Sequence, residues 1–262
     1  MSDLGGRIAA AIPAAAFAVF IVVQGGWWFA AGATLLGLIC LHELYAMLAD
    51  VRPARLAGML ALLGMAVAAM LGGPEQVLLV TVCAIPLTFL LTMPGPSAEG
   101  GVFGMAAVLL GVVWIGLAIA HAIMLRELDH GGGVLAAVLV GTFAGDTGAY
   151  FGGRALGRRR LAPRISPNKT VEGLAFGIFA SVLGVWIVNW YQDWIDTPDA
   201  LILGAAVAVA APLGDLFESF IKRDAGAKDA GRLFGAHGGA LDRLDGVLFT
   251  LVIGYYVWHA LV

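Results

Sequence analysis

Two carboxylates, Asp215 and Glu218, interrupt an otherwise apolar run near the C-terminus, with Ser219 beside them and Lys222 further on. On a helix these four residues stand at i, i+3, i+4 and i+7, so they project from one face. A second pair, Asp242 and Asp245, opens the last apolar run and again shares a helical face. Carboxylates brought from two helix ends suit Mg²⁺, which takes one or two of them and completes its shell with phosphate oxygens and water. Around them lie Lys222, Arg223, Lys228, Asp229 and Arg243, and the cations among these can hold a polyphosphate. Packing alone would cancel such charges as salt bridges. Carboxylates inside long apolar helices are costly, however, and acids alternating with bases at two sites exceed what packing requires. His237 precedes Gly238 and Gly239 and reads as a loop residue placed to donate to a phosphate or a leaving group. Neither Cys40 nor Cys83 has the spacing to join it at a zinc; both fall in apolar runs and read as small core residues.

A cluster upstream offers different chemistry. Asp146 and Tyr150, four apart in Gly145-Asp146-Thr147-Gly148-Ala149-Tyr150, share a helical face. Gly152, Gly153 and Gly157 then alternate with Arg154, Arg158, Arg159 and Arg160. Glycines let a backbone approach a ligand closely, and arginines bind phosphate through two parallel hydrogen bonds. The stretch Ile165-Ser166-Pro167-Asn168-Lys169-Thr170-Val171-Glu172-Gly173 sets hydroxyls, an amide and an ammonium before a helix N-terminus, a ready anion site. A basic loop that only sets topology accounts for the arginine triplet but not for the polar, glycine-punctuated remainder.

The elements that must position these residues are membrane helices. The chain has 262 residues, 60% of them hydrophobic and 13% charged, with mean hydropathy +0.91. A soluble domain carries about 25% charged residues, so that class is excluded. The apolar content and the two cysteines also exclude disorder and a disulfide scaffold. Nine runs reach spanning length, at about 8–25, 27–48, 55–72, 76–93, 102–125, 133–150, 173–191, 200–221 and 244–262. The expected fold is all-α, a polytopic integral membrane protein of about nine transmembrane helices with a cytoplasmic-facing site at helix ends. The first run reads as a retained helix rather than a signal peptide, because Asp3 offsets Arg7. With nine spans, Arg126 alone among the 15 Lys and Arg falls opposite the rest, which marks the basic side as cytoplasmic. Residues 1–130 are expected to form a scaffold. Residues 131–262 are expected to form the catalytic region, with cytoplasmic loops at 151–172 and 222–243. Glu43, beside His42 near the end of the second run, either reaches the site or snorkels to the interface; the sequence leaves both open.

Ser219-Phe220-Ile221-Lys222-Arg223, then Lys228-Asp229, then His237-Gly238-Gly239-Ala240-Leu241-Asp242-Arg243-Leu244-Asp245 closely resembles the signature of the phosphatidate cytidylyltransferases, also called CDP-diacylglycerol synthases. The 165–173 stretch and Asp146-Thr147-Gly148-Ala149-Tyr150 look like the same family's pattern. Two departures stand out: Gly235-Ala236 where the family usually has Pro-Gly, and Asn168 where it commonly has Lys. They bear on the loop shape and on one phosphate contact. The resemblance implies the reaction of CTP with phosphatidic acid to give CDP-diacylglycerol and pyrophosphate. It implies Mg²⁺, with a monovalent cation such as K⁺ assisting in some members, and a homodimer in a bacterial-type inner membrane. The implied partners are the two substrates and the bilayer, with no nucleic acid. The family's metal-binding acids carry over to Asp215 and Asp242, with Asp245 close by. Catalytic roles extend to Lys222 and His237. Substrate contacts extend to Asp146, Ser166, Lys169, Thr170, Glu172, Ser219, Arg223, Lys228, Asp229 and Arg243. A related membrane nucleotidyl- or phosphotransferase on another lipid phosphate is the alternative within enzymes. A transporter is the alternative outside them, although its polar groups usually gather near the midplane, between repeats that this sequence lacks.

Overall fold

Leu, Ala and Val in uninterrupted runs leave the backbone one way to satisfy its own polar groups in a bilayer, and helices form accordingly. The computed structural model describes residue 13 and residues 16–93, 101–231 and 238–262. Its helices are α1 (Gly26–Met47), α2 (Arg55–Leu71), α3 (Pro74–Thr92), α4 (Gly101–Glu127), α5 (Gly131–Leu156), α6 (Val171–Asn189), α7 (Thr197–Asp224) and α8 (Leu241–Leu261). Among the described residues, seven of these are long and apolar enough to cross a membrane. The exception is α2, whose 17 residues reach about 26 Å, short of the roughly 30 Å hydrocarbon core. The expected first span, 8–25, falls largely outside the described residues, and residues 16–24 are helical. Large apolar side chains face outward, Phe103 at 74% and Phe179 at 67% exposure, as lipid-facing residues do. The protein is an all-α polytopic integral membrane protein.

The chain divides into two compact units, Met1–Met124 with Ala225–Arg243, and Leu125–Asp224 with Leu244–Val262. In the first, α4 contains a π-helical turn over Val112–Gly116. The fully buried Tyr45 of α1 donates its hydroxyl to the Val108 carbonyl, 3.0 Å away and one turn ahead of that π segment. Glycines at 58 and 111 make room for the Tyr45 ring, since a Cβ at either would run into it.

In the second unit α5 and α6 meet backbone to backbone. A Cβ on Gly173 would lie 2.8 Å from the Ala149 carbonyl, and one on Gly177 would lie 3.0 Å from that of Gly145. Small residues permit this close approach, as in many membrane helix pairs. Thr142 of α5 donates to the Thr250 hydroxyl of α8 at 3.0 Å. At the far end the Trp258 indole donates to the Asp129 carbonyl at 3.0 Å, Trp194 meets Trp258 edge-on, and His130 stacks on Trp194.

The stretch 151–172, expected as a loop, is more ordered than that. Helix α5 runs on to Leu156, and an antiparallel hairpin follows, β1 (Arg160–Ala162) paired with β2 (Ser166–Thr170) in the register Arg160↔Thr170 and Ala162↔Ser166. Long-range contacts account for the difference. Glu172 Oε2 accepts the backbone N–H groups of Arg158 (2.9 Å) and Arg159 (3.1 Å), and Thr170 Oγ1 caps α6 by accepting from Gly173 N at 3.1 Å.

Replacing Tyr45 by Phe removes a buried donor while keeping the ring. It is expected to lower stability by about 1 kcal/mol, read as a lower thermal midpoint in detergent; an unchanged midpoint would show that the Val108 carbonyl does not need this partner.

Candidate active site

Pro212 sits within α7, three residues before Asp215. Lacking an N–H, it leaves the Ala208 carbonyl without its usual helical partner. Ala208, Pro212 and Asp215 all line a cavity of about 670 Å³ within the second unit. Asp146 and Tyr150 of α5 border it, as do Ser166 and Lys169 of β2 and Thr170 at the start of α6. The helical spacing of Asp146 and Tyr150 thus puts both on the cavity side of α5.

The polar centre of this cavity is an ion pair between Lys169 Nζ and Asp215 Oδ2, with the two side chains 25% and 33% exposed. Ser219 Oγ donates to Asp215 Oδ1 at 3.4 Å. One turn on, Glu218 is wholly buried and paired with Lys222 across i, i+4. Asp245 lies opposite on α8, half-buried, with its Oδ1 accepting from Gly246 N at 2.7 Å. The two helices touch at this level, for a Cβ on Gly214 would sit 3.0 Å from the Gly246 Cα. The charges of Asp215, Glu218 and Asp146 all act on Asp245, so four carboxylates gather in one part of the unit. Arg223 Nε donates to the Ile165 carbonyl at 3.2 Å and ties the end of α7 to the hairpin turn.

Several of the remaining residues singled out by sequence have backbone partners of their own. Glu172 and Thr170 use side-chain oxygens on the hairpin and on the α6 cap, respectively. Lys228, Asp229, Asp242 and Arg243 belong to the first unit. Asp242 accepts from Ala230 N with both oxygens (3.1 and 3.0 Å) and from Gly239 N with Oδ2 at 2.7 Å. Lys228, Asp229 and Arg243 are exposed. His237 lies outside the described residues. Glu43, which the sequence left undecided, is buried and accepts the Leu241 N–H at 2.9 Å. Ser181 of α6 was not singled out at all. It lines the cavity, is 1% exposed, and its hydroxyl has no hydrogen-bond partner among the described residues. A lone serine in an apolar helix carries no sequence signal.

Among the described residues no three of His, Cys, Asp and Glu form a ready-made metal cage. Mg²⁺ does not require one, because it binds through one or two carboxylates and keeps phosphate and water ligands. The all-oxygen donors gathered around Asp215 and Asp245 fit that ion and do not fit zinc.

Residues 6–261 match the model of the cytidylyltransferase family. The chain is 31% identical over 276 residues to the phosphatidate cytidylyltransferase of Bacillus subtilis (strain 168), with 98% of each chain covered. It is 48% identical over 118 residues to that of Synechocystis sp., covering 44% of this chain and 39% of the relative. It is 34% identical over 182 residues to an uncharacterized protein, YnbB, of Escherichia coli (strain K12), covering 66% of this chain and 61% of the relative. The match thus spans less than two thirds of the last two relatives and nearly all of the first. A family match that runs from residue 6 to residue 261 places the chain among these proteins: it belongs to the cytidylyltransferase family.

Proposed function

We propose that this protein is a phosphatidate cytidylyltransferase, transferring CMP from CTP to phosphatidic acid to give CDP-diacylglycerol and pyrophosphate. The observation that carries this reading is the Lys169–Asp215 pair in a cavity of about 670 Å³ lined by three membrane helices and the hairpin. The family match and the names of the relatives support it.

The chemistry suits what the cavity holds. A phosphate monoester has a second pKa near 6, so at neutral pH the oxygen of phosphatidic acid is already a nucleophile. No strong general base is demanded, and the task is to bring two polyanions together and release a third. Lys169 Nζ, held on Asp215, is placed to turn toward a phosphate oxygen. Ser166 and Thr170 supply hydroxyls on the same wall. Lys222 is fixed by the buried Glu218, which keeps its ammonium one turn from Asp215. Asp215 and Asp245 are the carboxylates that would hold Mg²⁺, which neutralises phosphate charge when bound. Acyl chains remain in the bilayer while the phosphate reaches the helix ends. The clustering of Lys and Arg on one side of the predicted topology supports a site that faces the cytoplasm of a bacterial-type inner membrane. A homodimer belongs to the same reading through the family resemblance.

The direct test is purified protein in lipid nanodiscs with labelled CTP and phosphatidic acid, with and without Mg²⁺. CDP-diacylglycerol and pyrophosphate are expected in equal amounts; no product with Mg²⁺ present would sink the reading. Asp215→Asn is expected to insert and melt like the parent while kcat falls by about 100-fold or more, and a parental rate would remove Asp215 from the machinery. Lys169→Ala, which deletes a charge-assisted contact, should lower kcat/KM for CTP or phosphatidic acid by about 10-fold or more; unchanged constants for both substrates would mean that the pair is only structural.

A further inference from the structure

The segment between α7 and α8 holds Lys228 and Asp229 and leads into Asp242 and Arg243 at the start of α8, and two carboxylates brace its described ends. One is Asp242 itself, which accepts from Ala230 N and Gly239 N. The other is Glu43, 198 residues away along the chain, whose Oε2 accepts the Leu241 N–H at 2.9 Å. Glu43 is 6% exposed. Gly231 and Gly239 both press on its carboxylate, and a Cβ at either would collide with it. One buried carboxylate therefore fills the space between the two glycines and takes an N–H at the first turn of α8. Negative charge is favourable there, because that end of a helix is the positive end of its dipole. A scaffold helix has no use for such a group, since burying a carboxylate is costly unless it meets donors. A second cavity of about 470 Å³, bordered by His42, Glu43 and Ala230, leaves open space beside it. The hydrogen bond to Leu241, rather than packing on every side, thus holds the carboxylate in place.

We propose that Glu43 is a positioning residue for the cytidylyl transfer. By fixing the Leu241 amide it sets the start of α8, and with it the direction in which the next two side chains, Asp242 and Arg243, leave the helix. This rests on the function proposed above.

Glu43→Gln keeps the volume and an acceptor oxygen, whereas Glu43→Ala leaves the Leu241 amide without its acceptor. Hydrogen exchange is read on the metal-free full-length protein, and steady-state kinetics on the same preparations with Mg²⁺. In Glu43→Ala, peptides covering 238–243 should exchange about 10-fold faster, while those from α5 and α6 match the parent. The same variant should lose about 10-fold or more in kcat, with KM for phosphatidic acid little changed. Glu43→Gln should restore both readouts to within about 3-fold of the parent. If Glu43→Ala does not insert, Gly239→Ala, whose added Cβ displaces the same carboxylate, should give the same local rise in exchange. Parental exchange over 238–243 in the inserted variant would overturn the proposal, as would a Gln variant as impaired as the Ala variant. A parental protein that turns over no CTP would instead sink the functional reading, while the exchange comparison would still decide whether Glu43 holds the segment.

Discussion

The ion pair between Lys169 and Asp215 is the contact on which the second unit's chemistry depends. An aspartate in a membrane helix is tolerable only with a partner, and this partner comes from a strand of a hairpin that lies outside the spans. The pair therefore does two things at once. It makes Asp215 affordable in α7, and it fastens β2 against that helix. Arg223, bonded to the Ile165 carbonyl, provides a second fastening from the same helix. Thr170 adds a third link, because the residue after Lys169 caps α6. A short hairpin that could not hold its shape alone is thereby fixed on both of its neighbours.

The cavity takes its form from what is missing as much as from what is present. Gly145, Gly153, Gly173 and Gly177 line it without filling it, and Pro212 frees a carbonyl on its wall. Acids and bases share its lining with small apolar groups, a mixture that suits a substrate with a charged head and an apolar body.

Much of this was legible in the sequence because its signals are local. Each helix from α1 to α8 begins and ends within a few residues of Leu/Ala/Val runs that anyone can count, apart from α5, which extends past Gly152 and Gly153 to Leu156. The shared face of Asp215, Glu218, Ser219 and Lys222 follows from helical spacing and is seen in the Ser219–Asp215 and Lys222–Glu218 contacts. What escaped depends on partners far away in the chain. Ser166-Pro167-Asn168-Lys169-Thr170 has poor strand propensity, and Pro167 argues against a strand; the capture of the Arg158 and Arg159 amides by Glu172 holds the pairing regardless. The π-helical turn at Val112–Gly116 has no counterpart in hydrophobic periodicity. Glu43 could not be resolved between interface and site, because its partner, Leu241, offers only a backbone amide, and a backbone amide has no sequence signature.

The glycine contact between α5 and α6 bears on how the site behaves as temperature changes. A joint made of leucines orders rotamers when it forms and loosens as those rotamers are regained on warming. The contact of Gly173 and Gly177 with the carbonyls of Ala149 and Gly145 has no side-chain rotamers to regain. The spacing between the wall that carries Asp146 and the wall that begins at Thr170 is thus set by main-chain atoms in van der Waals contact. Such a wall should keep its separation while the lipid-facing side chains around it, Phe179 among them, move with the fluid bilayer.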